Sequence, residues 1–120
     1  MRLLALRGAT TCDENTKQEV DTKTQRLVEA MLERNAVVHD DIVSIIFTAT
    51  DDISAEFPAT AARALGLGDV PLLCARELAI EHGMPRTIRV MMHFYGEQPR
   101  ADLHHVYLEG ARSLRDDLPD

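Results

Sequence analysis

The sequence lacks several features that mark common protein classes. Its two cysteines, Cys12 and Cys74, lie far apart and belong to no C-x-x-C pair, which argues against a disulfide framework or a structural zinc site. No apolar run approaches the roughly 18 residues that a membrane helix needs. The apolar N-terminal segment is interrupted at Arg7, too early for a signal peptide. We therefore expect a cytoplasmic protein.

Basic residues are also scarce. The chain has 13 Lys and Arg against 20 Asp and Glu, for a formal net charge of −7. Nucleic-acid binders gain affinity by neutralising phosphates with a basic surface, so this balance argues against nucleic acid and anionic membranes as partners. An anionic small ligand would need a local basic pocket. The length of 120 residues predicts a single domain, residues 1–120, that would gain stability from oligomerisation.

Motifs for nucleophilic, phosphate-binding or metal chemistry are missing. The sequence contains no G-x-S-x-G, P-loop, G-x-G-x-x-G or H-E-x-x-H pattern. A pair of Cys74 with a distant histidine has no local pattern to support it. His104 and His105 would point to opposite faces of a strand and could not chelate together. We expect neither a metal nor a cofactor.

The pattern of apolar residues predicts an α+β domain with five strands and two helices. A capping box, Thr16 with Glu19, opens the long amphipathic helix, and Asn35 is a plausible end. The alternating segment from Thr87 to Tyr95 is the clearest strand. A final segment, 105–114, fits a strand better than a helix. The other predicted elements are strands at 3–7, 43–50 and 70–74, a loop at 9–13, and a helix from Pro58 to Leu65 that Gly66 ends.

This order of elements predicts one mixed sheet with helices packed on it. If the helices cover only one face, the other face stays apolar and exposed. Sister subunits in an oligomer could cover it.

Two arginines lie on apolar elements, where unpaired charge is rare. Arg7 ends the first predicted strand, and Arg89 lies within the clearest one. Either each pairs with an internal carboxylate such as Glu77 or Glu109, or they bind an external anion. Arginine suits the second role, because its planar fork can grip a carboxylate with two hydrogen bonds. The residues alone leave both possibilities open.

A set of short motifs runs along the chain in a fixed order. The motifs lie at 7–11, 49–52, 57–59 with Arg63, 70–77, 88–92, 105–109 and 114–118. Taken together, they resemble the motifs of the trimeric, monofunctional chorismate mutases. The resemblance covers residues 3–118 and is specific because every segment appears in order at matching separations. It implies a ferredoxin-like mixed sheet with outer helices, three subunits in a pseudo-α/β-barrel, and active sites at the subunit interfaces.

The resemblance implies a cofactor-free Claisen rearrangement of chorismate to prephenate in phenylalanine and tyrosine synthesis. By position, Arg89 would contact the ether oxygen, and Arg7 and Tyr107 would bind the enolpyruvyl carboxylate. Glu77, with the Cys74 region, would accept the ring hydroxyl. Catalysis would then rest on holding a compact conformer and on stabilising charge in the transition state.

The same resemblance implies a wider set of substrate-binding residues, several of them from the neighbouring subunit. The chain departs from the family at two positions, with Thr60 in place of lysine and Leu73 in place of threonine. These departures bear on substrate capture rather than chemistry. The lining residues are Phe57, Ala59, Thr60, Arg63, Leu72, Leu73, Ala75 and Arg76, with Leu114 and Arg115 closing over the pocket.

Two other functions fit the residues alone. One is a trimeric protein that binds or senses a small dicarboxylate without catalysis, since folds of this type host many functions. The other is a small trimeric enzyme acting on a different cyclic dicarboxylate. Glu77 near Arg89 discriminates between binder and enzyme, because a mere anion binder gains little from a carboxylate in its pocket.

Overall fold

The computed structural model of the chain describes residues 1–115 as one five-stranded sheet with two α-helices. The predicted order of strand, helix, strand, helix and three further strands is confirmed. The strands are β1 (Arg2–Thr11), β2 (Ile42–Ala49), β3 (Leu72–Arg76), β4 (Thr87–Gly96) and β5 (Val106–Tyr107). The helices are α1 (Lys17–Arg34) and α2 (Pro58–Ala62), with a π-helical turn at Arg63–Leu67 and 3₁₀ turns at His39–Asp41, Arg100–Asp102 and Glu109–Arg115.

The sheet is mixed, with strand order β3-β2-β4-β1-β5. The central strand β4 runs antiparallel to both β1 and β2, while the edge strands β3 and β5 run parallel to their neighbours. No helix in residues 1–115 is long and apolar enough to cross a membrane.

One face of the sheet and the helices form the core. On β4, Ile88, Val90, Met92 and Phe94 alternate inward and are buried. Helix α1 lies unusually close to β1 at Gly8, where an added Cβ would meet the Met31 sulfur at 2.6 Å. Glycine at this position therefore lets the helix pack against the strand.

The other face of the sheet, called the open face here, carries the alternate residues. Leu3 of β1 pairs with Tyr95 of β4 there, and these side chains are 57% and 45% exposed. Leu73 of β3, which pairs with Ile46, is 61% exposed. The predicted apolar, uncovered face is present within one subunit.

The first strand is longer than the sequence predicted. The segment at 9–11, expected in a loop, continues β1 because Ala9, Thr10 and Thr11 pair with Arg89, Ile88 and Thr87 of β4. The prediction of a loop there was wrong, since the long neighbouring strand offers partners as far as Thr11.

The last predicted strand was wrong beyond Tyr107. The chain leaves the extended conformation at Glu109, whose φ is +52°, and enters a 3₁₀ helix. Gly110 donates its N–H to Thr11 Oγ1 over 3.0 Å, which turns the chain against the end of β1. The predicted loose tail, residues 116–120, lies outside the described residues.

Two smaller boundaries and one helix cap also differ from the prediction. Strand β3 begins after Pro71, which has no N–H to donate, although its carbonyl accepts from the Ile45 N–H of β2 at 3.0 Å. Regular helix ends at Ala62, and Gly66 adopts a φ of +94° in the turn that follows. At α1, Thr16 Oγ1 caps the Glu19 N–H, but the Glu19 carboxylate accepts from the Asp13 N–H at 2.7 Å, so only half of the expected capping box forms.

Candidate active site

A cleft of about 210 Å³ opens on the open face of the sheet and gathers four of the predicted site residues. We call it the arginine cleft. Its polar lining comes from four strands, β1, β2, β4 and β5, and from the segment that follows β3. The lining residues are Arg7, Gly8, Ile46, Thr48, Glu77, Arg89, Val90, Met91 and Tyr107.

Strand register explains why these residues meet. Ala9 of β1 pairs with Arg89 on one side and with Tyr107 on the other, and Thr48 of β2 pairs with Arg89. Arg7 lies two residues before Ala9, so its side chain points to the same face. Residues more than 80 positions apart in sequence are thus neighbours at one end of the open face.

Arg89 forms an ion pair with Glu77 but stays accessible. Its Nε lies 3.1 Å from Glu77 Oε1, and its side chain is 46% exposed against 17% for Glu77. The Thr48 hydroxyl donates a short hydrogen bond to the same carboxylate oxygen. Within residues 1–115 this is the one ion pair of Arg89, which leaves the other guanidinium N–H groups for a ligand. Arg89 can therefore pair with Glu77 and still have N–H groups free to bind an external anion.

Arg7 adds a second cation to the arginine cleft. Its backbone N–H donates to His105 Nδ1 over 2.9 Å, and the described residues provide no ion pair for its guanidinium. With Arg89 and Glu77, the cleft carries two positive charges and one negative charge, in a chain whose net charge is −7. The arrangement can bind an anion and still offer a hydrogen-bond acceptor.

A second cleft, of about 420 Å³, holds another group of predicted residues. We call it the Phe57 cleft. Phe57, immediately before α2, is 67% exposed in it, and Arg76 Nε lies 3.2 Å from Asp51 Oδ1. Cys74 also lines this cleft, because its side chain points to the helix side of β3 and packs against the core. The predicted residues there are Phe57, Cys74, Ala75 and Arg76.

The remaining predicted residues lie outside both clefts in one subunit. Ala59 is only 4% exposed and belongs to the core. Leu72 is half-buried and packs against that core. Leu73 lies on the open face beside the row that contains Met91. The others are Thr60 and Arg63 around the end of α2, and Leu114 and Arg115 in the last 3₁₀ helix; the Arg115 side chain lies outside the described residues.

Thr48 is the functional candidate that sequence reasoning missed. It anchors Glu77, yet on the sequence it is one of several hydroxyl residues near the end of a strand. The available signal was its place two residues after Ile46, because such residues of a strand share one face of the sheet, here the open face. No group of three or more His, Cys, Asp or Glu side chains within residues 1–115 could hold a metal ion.

Comparison with known proteins agrees with this geometry. The family model described as chorismate mutase type I matches residues 3–118. The chain is 40% identical over 114 residues to chorismate mutase AroH of Thermus thermophilus, covering 94% of this chain and 93% of that one. It is 40% identical over 119 residues to chorismate mutase AroH of Bacillus subtilis, covering 98% and 94%. A solved chorismate mutase from Clostridium thermocellum superposes with a TM-score of 0.90 at 44% identity, covering 92% and 98%. The chain belongs to the chorismate mutase type I family.

Proposed function

We propose that this chain rearranges chorismate to prephenate in the arginine cleft, as a step of phenylalanine and tyrosine synthesis. Family membership supports the reaction, and the convergence of Arg7, Arg89, Glu77 and Tyr107 at one cleft supports the location. The alternative of a dicarboxylate binder without catalysis is not supported by the relatives, which are named as mutases.

The reaction breaks the ether C–O bond and forms a C–C bond in one cyclic movement of electrons, with no proton transfer. Negative charge grows on the ether oxygen as its bond to the ring lengthens. A fixed guanidinium beside that oxygen stabilises the transition state more than the substrate, which is what catalysis requires. Arg89 is our assignment for this group, because Glu77 holds its Nε and leaves its outer N–H groups exposed.

The other three residues bind and orient the substrate in this proposal. Arg7 has no internal ion pair within residues 1–115, so its fork is available for the enolpyruvyl carboxylate, beside the Tyr107 hydroxyl. Glu77 accepts a hydrogen bond from the ring hydroxyl of the substrate and keeps Arg89 in position. The four side chains thereby favour the compact conformer in which the reacting carbons meet.

We further propose a homotrimer with its active sites at the subunit interfaces. The exposed apolar side chains of the open face need a cover, and a second subunit would provide one. The Phe57 cleft of that neighbour would complete the arginine cleft, bringing Phe57, Thr60 and Arg63 to the substrate. Leu114 and Arg115 would close over it.

Two broader assignments complete the proposal. Residues 1–120 form one domain, since all five strands join a single sheet. The location is cytoplasmic, which agrees with two cysteines that are both free thiols.

The test is conversion of chorismate by the purified chain, compared with two arginine variants. Arg89→Ala should lower kcat on the order of 1,000-fold, because a charge about 4 Å from the oxygen contributes roughly 4 kcal/mol at an effective dielectric of 20. Arg34→Ala, at the exposed end of α1, should leave kcat and KM unchanged. Normal turnover by Arg89→Ala would contradict the assignment, and absence of prephenate with the unaltered chain would refute the function.

A further inference from the structure

Helix α1 carries a buried lysine that none of the proposed chemistry uses. Lys23 is 6% exposed, and its ammonium lies 2.5 Å from Glu109 Oε1 and 3.8 Å from Asp13 Oδ2. The hydrogen bond with Glu109 raises the pKa of Lys23, and the same bond lowers the pKa of Glu109. A buried ammonium is tolerated only with such a partner. The contact therefore restricts where Glu109 and the neighbouring residues of its segment can lie.

Glu109 belongs to the segment that carries Tyr107 into the arginine cleft. Tyr107 is the last residue of β5, a two-residue edge strand held by pairing with β1 and by the Leu108 N–H to Ala9 carbonyl bond of 2.9 Å. So short a strand has few ladder hydrogen bonds to fix its place.

The chain then turns sharply at Glu109 itself. Its φ of +52° is a left-handed conformation that a residue with a side chain rarely adopts. Such a conformation persists only where the surroundings enforce it. The contacts made at this turn are the Lys23 ion pair and the Gly110 N–H bond to Thr11 Oγ1.

From these contacts we infer that Lys23 is a positioning residue: by holding Glu109 it fixes the end of β5 and sets the Tyr107 hydroxyl where the substrate carboxylate binds. Lys23 touches no substrate, and its route to the cleft is the backbone of residues 107–109. The inference rests on the proposed role of Tyr107 in binding chorismate. A displacement of about 1 Å at a positioned group can cost up to about 100-fold in rate.

The first measurement is steady-state kinetics of Lys23→Met, which removes the charge and keeps the apolar stem. We expect KM for chorismate to rise about 10-fold or more with a smaller change in kcat, because Tyr107 contributes to binding in ground and transition state alike. Glu109→Gln keeps the size and one acceptor and should shift KM in the same direction by less. It also serves if Lys23→Met fails to fold.

The matched control is the chain's other lysine, on the same helix. Lys17 is exposed and pairs with Asp21 at 2.6 Å and with Glu56 at 3.4 Å. Lys17→Met therefore removes the same charge from α1 without touching β5, and KM should stay within about twofold of the unaltered chain, as expected for a surface pair.

The deciding measurement is a double-mutant cycle with Tyr107→Phe. If Lys23 acts through Tyr107, then Lys23→Met should raise KM far less in the Tyr107→Phe background than in the unaltered one. Equal effects in both backgrounds, or a lowered melting temperature with KM unchanged, would overturn the inference and leave Lys23 purely structural. If Tyr107→Phe alone leaves KM unchanged, the proposed role of Tyr107 fails together with the inference. If the unaltered chain forms no prephenate, the proposed function itself fails.

Discussion

At the scale of single residues, the site depends on a charge that is only partly satisfied. Glu77 accepts one N–H of Arg89, and the Thr48 hydroxyl donates to the same carboxylate oxygen. A fully paired guanidinium would be poorly available to an anion, and an unpaired one would be poorly oriented. Single contact at Nε gives orientation and leaves the outer fork exposed, which suits stabilisation of developing charge.

Cys12 gives the chain a pH-dependent stability. Burial raises the pKa of this thiol from 9.0 to about 11, with Glu19 and Asp13 adding to the effect. Between those values the unfolded chain loses the proton that the folded chain keeps, so rising pH favours unfolding. The free energy of unfolding should fall by about 1.4 kcal/mol per pH unit from this group. Below pH 9.0 the contribution to stability is fully present.

Denaturant unfolding at a series of pH values checks this expectation. Cys12→Ala removes the thiol, so its free energy of unfolding should change less steeply across the interval than that of the unaltered chain. The difference between the two slopes isolates the contribution of the Cys12 thiol. Identical slopes would show that the thiol does not govern the alkaline limb.

Sequence reasoning succeeds at the residue scale where one strand decides the outcome. Alternation placed Arg89 and Tyr95 on the opposite face from Val90, as the structure has them. It did not find the partner of Lys23, because that contact joins α1 to a segment 86 residues away. Nor did it place Cys74 on the helix side of β3, because that depends on where the strand begins relative to β2.

At the scale of elements, α1 holds the segment 104–109 at two points. Lys23, in the N-terminal half of the helix, binds Glu109. Asn35, at the C-terminal end of the helix, binds the segment before β5. The Asn35 amide donates to the Met31 and His104 carbonyls at 3.0 and 2.9 Å, and its oxygen accepts from the His104 N–H at 2.7 Å. The helix thus determines both where the segment approaches β1 and where it leaves.

Removing Asn35 should loosen this attachment. Asn35 is 5% exposed, so Asn35→Ala removes the hydrogen bond to the buried Met31 carbonyl and the part-buried hydrogen bonds to His104, at a cost of about 1–3 kcal/mol in the free energy of unfolding. Asn15 is the control, because its hydrogen bonds to Ser54 and Ala55 are exposed to water. Denaturant unfolding of both variants measures the difference. Equal losses would mean that burial of the Asn35 contacts adds nothing.

The sequence predicted secondary-structure elements where their signals were local and failed where distant contacts decided the conformation. Helix α1 and β4 were found because each carries its own periodic signal, and α2 was found because Pro58 marks a helix start. The last strand was predicted to run too far because Gly110 is ambiguous between strand and helix, and because the turn at Glu109 coincides with contacts to Lys23 and Thr11 from elsewhere in the fold. Long-range contacts of this kind leave no local pattern to read.

At the scale of the whole molecule, the helices cover one face of the sheet, and the arginine cleft and the Phe57 cleft share no lining residue. The arginine cleft opens on the open face, and the Phe57 cleft lies by β3 and the start of α2. In the proposed trimer, the Phe57 cleft of one subunit would face the arginine cleft of the next. Association through the open face would bury Leu3, Leu73 and Tyr95 and bring a second surface to the arginine cleft.

Tyr95→Asp tests this assembly, because it places a charge on the open face at the opposite end from Arg89. Burying an unpaired carboxylate costs several kcal/mol, so the variant should sediment as a smaller species than the unaltered chain. Val38→Asp, at an exposed apolar residue just after α1, should leave the sedimentation unchanged. If the active sites lie at the interfaces, kcat/KM of Tyr95→Asp should be low when dilute and rise with protein concentration, as the subunits reassociate. A monomeric variant with full activity at every concentration would mean that each subunit holds a complete site.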